Sequence, residues 1–112
     1  MKTAHIKSSD VPVENIQEGL DRQILGYTKD LMLVRVEFKK GAEGYVHEHP
    51  HEQVTYVESG SFEVNLDGEK KVLTAGDAFV ILGGIEHGAV CLEDGVLIDT
   101  FSPMREDFLE TE

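Results

Sequence analysis

From Leu31 to Phe101 the chain keeps to one pattern: a short run with β alternation, then a turn carrying glycine, at intervals of about eight to twelve residues. In "LMLVRVEFKKG", Met32, Val34, Val36 and Phe38 share one face, with Arg35 and Glu37 opposite. "QVTYV" is a β-branched and aromatic run. "SFEVNLDGEKKVL" reads as a hairpin: Phe62, Val64 and Leu66 alternate with polar residues, and Asp67-Gly68 supplies a tight turn. "AFVIL", after the turn "TAGD", is expected to be a short buried strand. "HGAVCL" and "VLIDTF" are expected to be two further strands joined by "EDG". This pattern predicts an all-β sandwich or barrel. The 112 residues make a single-domain length, so 1–112 is expected to be one domain without linkers or repeats. Residues 1–30 are expected to form an N-terminal arm and an early strand within "DRQILGYTKD", and 106–112 an acidic C-terminal tail or one helical turn.

Charge narrows the partners. A formal charge of −12 argues against nucleic acid and anionic membrane surfaces as partners, since both demand a basic face. An anionic ligand would need local positive charge at its site. The lone cysteine, Cys91, allows no intrachain disulfide and fits a reducing compartment. The first twenty residues lack the apolar run of a signal peptide, and no segment approaches the length of a membrane span. The expectation is a soluble cytoplasmic protein.

Three of the five histidines fall within "HEHPH", residues 47–51. In a strand, residues two apart share a face, so His47 and His49 are expected to point the same way. Gln53 follows beyond a bend at Pro50, and His87 opens a strand after Gly83-Gly84. Three imidazoles and one amide oxygen make a ligand set for one divalent first-row ion: nickel, zinc, manganese, iron or cobalt. His51 is expected to be an outer histidine, because Pro50 interrupts the strand. His5 is expected to be solvated, and Cys91 to be a small core residue.

The spacing resembles a known family. Gly41, His47-x-His49, Gln53 and Gly60 match the first cupin motif. Gly76 with "DAFVI", Leu82-Gly83-Gly84 and His87 match the second. The resemblance implies a double-stranded β-helix, the jelly-roll barrel. Three positions depart from it: Gln53 stands for the usual glutamate, Leu82 for proline and Cys91 for asparagine. With Gln53, every protein ligand is neutral and a bound ion keeps nearly its whole double charge. That favours Lewis-acid work on an anion over oxygen chemistry. It also gives an acidic protein a way to hold an anion.

"LIDTFSPMRED" is the other informative stretch. Leu97, Asp99 and Phe101 share one face of the last strand, and an aspartate there is costly to bury unless paired or used. Asp99 and Arg105 could form a structural ion pair closing the barrel end. The run Asp99-x-Phe101-x-x-x-Arg105, with "VRVEFKKGAEG" and "HPHEQ", is similar to the KdgF-type cupins of pectin degradation. That resemblance implies conversion of 4,5-unsaturated monouronates, from pectin or alginate, into linear 5-keto forms. Asp99 would then shuttle the proton, Arg105 grip the substrate carboxylate and Phe101 wall the ring. It also implies a small anionic sugar-acid substrate and a homodimer. The competing readings are a non-catalytic sugar-acid-binding cupin, an oxygenase or another sugar isomerase.

Overall fold

The computed structural model of the chain describes residues 3–109, and for Tyr45 and Val46 the backbone alone. Residues 110–112 of the acidic stretch lie outside the described residues. Eight strands form a jelly-roll barrel: β1 (Glu14–Gln17), β2 (Leu20–Tyr27), β3 (Met32–Phe38), β4 (Glu43–His47), β5 (Glu52–Leu66), β6 (Glu69–Thr74), β7 (Ala78–Ile81) and β8 (His87–Ser102). A four-residue helix, α1 (Glu106–Leu109), follows. No helix among the described residues is long and apolar enough to cross a membrane.

Two long strands organise the barrel. β5 and β8 run antiparallel from Glu52↔Ser102 to Leu66↔His87. The first half of β5 and the second half of β8 belong to one wall, with β7 beyond β5 and with β3, β2 and β1 beyond β8. The other halves belong to the opposite wall, with β6 beyond β5 and β4 beyond β8. "HGAVCL" and "VLIDTF" are therefore one strand of 16 residues, not two, and "QVTYV" and "SFEVNL" likewise join in one of 15 residues. The glycines between them mark a corner where both strands pass from wall to wall, and the register shifts there, between Val57 and Phe62. A Cβ on Gly60 would lie 2.5 Å from the Cα of Gly95, and one on Gly95 would collide with the Ser59 carbonyl oxygen. Only two residues without side chains let the bent backbones touch.

The two-residue turn Asp67-Gly68, both at positive φ, closes the β5–β6 hairpin as its sequence demands. In β3, Met32, Val34, Val36 and Phe38 are all buried. Phe38 meets Phe62 of the opposite wall edge to face at 5.1 Å, a contact worth about 1 kcal/mol beyond its burial. Cys91 joins this core at 1% exposure, and burial raises its thiol above the usual value. "AFVIL" differs from its expectation: Phe79 and Ile81 point inward, while Val80 and Leu82 are 61% and 60% exposed. β7 has one wet face because Val80 lies on the outer surface of the barrel wall, beside the equally outward Val54 of β5. Helix α1 lays Phe108 and Leu109, both half-buried, against the core.

Candidate metal centre and binding cavity

Each histidine reaches the centre from a different piece of chain. β4 ends at His47, whose backbone pairs with His87 at the start of β8. His49 lies past the strand end, so strand alternation is not what brings it beside His47. The bend does. The Gly84 N–H donates to the His49 carbonyl at 2.8 Å, and a Cβ on Gly83 would collide with the Pro50 carbonyl oxygen. The ligating atoms of His47, His49 and His87 all lie within 4.8 Å of one another. Gln53, on β5 opposite Phe101, completes the group at 3.0 Å from His49 Nε2.

Two of these rings have their proton fixed by backbone. His49 Nδ1 donates to the His51 carbonyl at 2.9 Å, and His87 Nδ1 to the Ile85 carbonyl at 2.8 Å. A carbonyl can only accept, so each neutral ring keeps its proton on Nδ1 and turns the Nε2 lone pair away from the backbone. Burial lowers the His49 pKa against the opposing effect of the Gln53 oxygen, which would accept a proton from a charged ring, and burial lowers His87 to about 4. The amide nitrogen of Gln53 donates to Thr55 Oγ1 at 2.8 Å and more weakly to Asp99 Oδ1 at 3.4 Å. Its oxygen therefore faces the lone pair of His49 Nε2. Two acceptors at that separation repel unless a cation lies between them, and burial disfavours a second proton on the ring. The donor set thus fits a divalent metal ion, for which the ligands would be three imidazoles and one carboxamide oxygen.

Asp99 stands beside this cluster. Thr55 Oγ1 donates to its Oδ1 at 2.7 Å. Burial raises its pKa to about 6, against the stabilising Thr55 bond and the Arg105 charge. Arg105 is 9% exposed, and its carboxylate partner is Asp107 rather than Asp99: Nε and Nη2 reach the two Asp107 oxygens at 3.0 and 2.8 Å. The guanidinium carbon lies 5.1 Å from the Phe101 ring centre and 4.3 Å from that of Phe108. A cavity of about 250 Å³ brings His47, Gln53, His87, Asp99, Phe101 and Arg105 together. His51 contributes its backbone carbonyl to the arrangement, while its ring sits 5.6 Å from that of His49. His5 is exposed.

Sequence reasoning passed over four residues here: Thr55, Asp107, Phe108 and Arg22. Two carried a readable signal. Thr55 has the parity of Gln53 and Val57, and Arg22 that of Leu20 and Ile24, so each is a polar residue at an inward position. Asp107 and Phe108 carried none, because their roles depend on where α1 docks.

A family model described as the cupin domain matches residues 34–100. The chain belongs to the cupin family. It is 50% identical to the pectin degradation protein KdgF of Dickeya dadantii, over 89% of this chain and 93% of that protein. Among solved structures, KdgF from a Halomonas species superposes with a TM-score of 0.91 at 43% identity, covering 96% of this chain and 99% of that one. An RmlC-like cupin from Shewanella frigidimarina gives a TM-score of 0.90 at 54% identity, covering 95% and 96% of the two chains. Within the cupins this is a KdgF-type protein.

Proposed function

We propose that the protein converts 4,5-unsaturated monouronates, released from pectin or alginate, into linear 5-keto-4-deoxyuronates. The substrate carries a C4=C5 double bond, a carboxylate on C5 and a hemiacetal at C1. Asp99 takes the proton of the C1 hydroxyl, the C1–O5 bond breaks as C1=O forms, and the electron pair passes to O5 as an enolate. Asp99 then returns the proton to C4 and the enolate becomes a C5 ketone, so no atom is gained or lost. A side chain poised near pKa 6 can both accept and release that proton at neutral pH. Arg105 spends its Nε–Nη2 edge on Asp107 and presents its remaining edge to the substrate carboxylate. Phe101 forms an apolar wall beside the ring and keeps water from Asp99. His47, His49, His87 and Gln53 would hold the metal ion, which supplies Lewis-acid stabilisation for negative charge developing on the substrate.

One observation carries this reading: the chain of contacts from His49 through Gln53 and Thr55 to Asp99, which ties a proton carrier to the metal ligands in one cavity. The likeness to pectin degradation proteins supplies the substrate class. The test follows the conjugated enoate by its ultraviolet absorbance. Purified metal-loaded protein should accelerate its loss, and chelation should stop it. Asp99→Asn should lower turnover by about 10²–10⁴-fold while the fold and metal content persist. Near-normal turnover in that variant would remove the shuttle from Asp99. Saturable uronate binding with no product from wild type would make this a binding cupin instead.

We further infer a homodimer that acts in the cytoplasm, where the Cys91 thiol stays reduced. The outer face of the larger wall carries two cross-strand rows, Leu33-Thr100-Val54-Val80 and Arg35-Ile98-Tyr56-Ala78. Val54, Tyr56 and Val80 are 49%, 48% and 61% exposed. Neither row contains an acidic residue, in a chain of net charge −12, so two copies can meet here with little repulsion. Sedimentation should give a dimer for wild type and a monomer for Val54→Asp/Val80→Asp; a monomeric wild type at micromolar concentration would end this assignment.

A further inference from the structure

The proposed chemistry uses one arginine, and the cavity holds two. Arg22 projects inward from β2 and is 8% exposed. It pairs across the β1–β2 ladder with Glu14, whose carboxylate oxygens hold its Nε at 3.2 Å and its Nη2 at 3.4 Å. The remaining nitrogen, Nη1, donates to no described residue. The guanidinium carbon lies 4.2 Å from the Phe108 ring centre, and that of Arg105 lies 4.3 Å from the same centre. The two cations are thus within one small ligand's span of each other.

Their places along the cavity differ. Asp99 lies in register with Val34 and Ile24, whereas Arg22 springs from the next inward row, with Val36 and Leu97. In the ladder rows at and next to Arg22, the cavity is lined by Leu20, Val36, Phe38 and Leu97, all apolar. A sugar acid carries an oxygen on almost every carbon, and a hydroxyl buried against such walls is costly without a partner. We propose that Arg22 binds the substrate directly, donating to a hydroxyl oxygen at the end of the ring away from the imidazoles. This rests on the sugar-acid reading above. Glu14 aims the guanidinium, and Phe108 fixes its plane.

The test uses metal-loaded wild type, Arg22→Lys and the double variant Arg22→Gln/Glu14→Gln, which avoids leaving a carboxylate unpaired near the cavity. Two quantities are read: kcat and KM for unsaturated monouronate, and calorimetric affinity for galacturonate, a saturated uronate that cannot react. In the double variant, KM and the galacturonate dissociation constant should both rise by about tenfold or more, with kcat within about threefold of wild type. Arg22→Lys should weaken both by a smaller factor, since an ammonium keeps the charge but loses the planar fork. Unchanged KM and galacturonate affinity in a folded double variant would overturn the proposal and leave Arg22–Glu14 as a barrel-closing ion pair. Should the double variant fail to fold, Arg22→Lys decides: weakened affinity supports the contact and unchanged affinity refutes it. A wild type that binds galacturonate but turns over no unsaturated uronate would refute the ketonisation reading alone, with Arg22 still judged by calorimetry.

Discussion

The cavity has two polar sides that are held in opposite ways. On the imidazole side, two rings are fixed by backbone carbonyls, of His51 and Ile85. On the arginine side, the guanidinium groups are fixed by side-chain carboxylates, Glu14 and Asp107, whose side chains are 33% and 57% exposed. Backbone partners come with the fold and do not titrate. Carboxylate partners at the surface are screened by salt and can be protonated. The first arrangement suits an ion whose ligands must not move. The second suits a clamp that must stay charged yet accept and release an anion. Gln53 is the hinge between them, because its oxygen faces His49 Nε2 while its nitrogen donates to Thr55 and Asp99.

Removing a ligand should break the imidazole side altogether. His87→Ala is expected to lose stoichiometric metal, measured by elemental analysis, and to drop turnover to background. Retained metal with full turnover would show that His87 is outside the ligand set. A subtler change attacks the hinge. Gln53→Glu brings a negative ligand to the ion and replaces a donor to Thr55 and Asp99 with an acceptor. Metal affinity should rise, and turnover should fall by about 10–100-fold. Equal or faster turnover would mean that the neutral amide is not what the chemistry requires.

The smallest effect is expected on the arginine side. Asp107→Asn should raise KM a few-fold, more at low salt than at high salt, because the Arg105 guanidinium loses its anchor. A KM shift that ignores salt would point away from an ion pair. The pH dependence has a definite sign. The hydrogen bond from Arg105 holds the Asp107 carboxyl below its ordinary value. A carboxyl with a depressed folded-state pKa stabilises the fold fully above its unfolded pKa, about 3.9, and loses that contribution as pH falls through the lower folded value. The stability gap between wild type and Asp107→Asn should therefore stay constant from neutral pH to about 5 and close only below about 4. Denaturation midpoints across that range would check it, and a gap that closes near pH 6 would contradict the assignment.

Alternation made much of the barrel readable. Met32 to Phe38 and Phe62 to Leu66 point as a period of two requires, and Asp67-Gly68 closes its hairpin as a two-residue turn. The corner was misread for a physical reason. A glycine that lets two bent strands touch looks, along one strand, the same as a glycine that ends it, and the other half of the explanation for Gly60 is Gly95, thirty-five residues away. The same limit applies to Arg105. The sequence reading paired it with Asp99, and the docking of α1 gave it Asp107 instead.

The sequence by itself determined the all-β class, the inward faces of its strands and the residue types gathered at the centre. These follow from local sterics and from alternation, which act within a few bonds. Tertiary structure alone decided that His49 meets His47 across a bend, that Asp99 hangs from Thr55 and Gln53, and that Arg22 and Arg105 converge on Phe108. Those outcomes depend on which distant strands become neighbours, and no local rule of the chain contains that information.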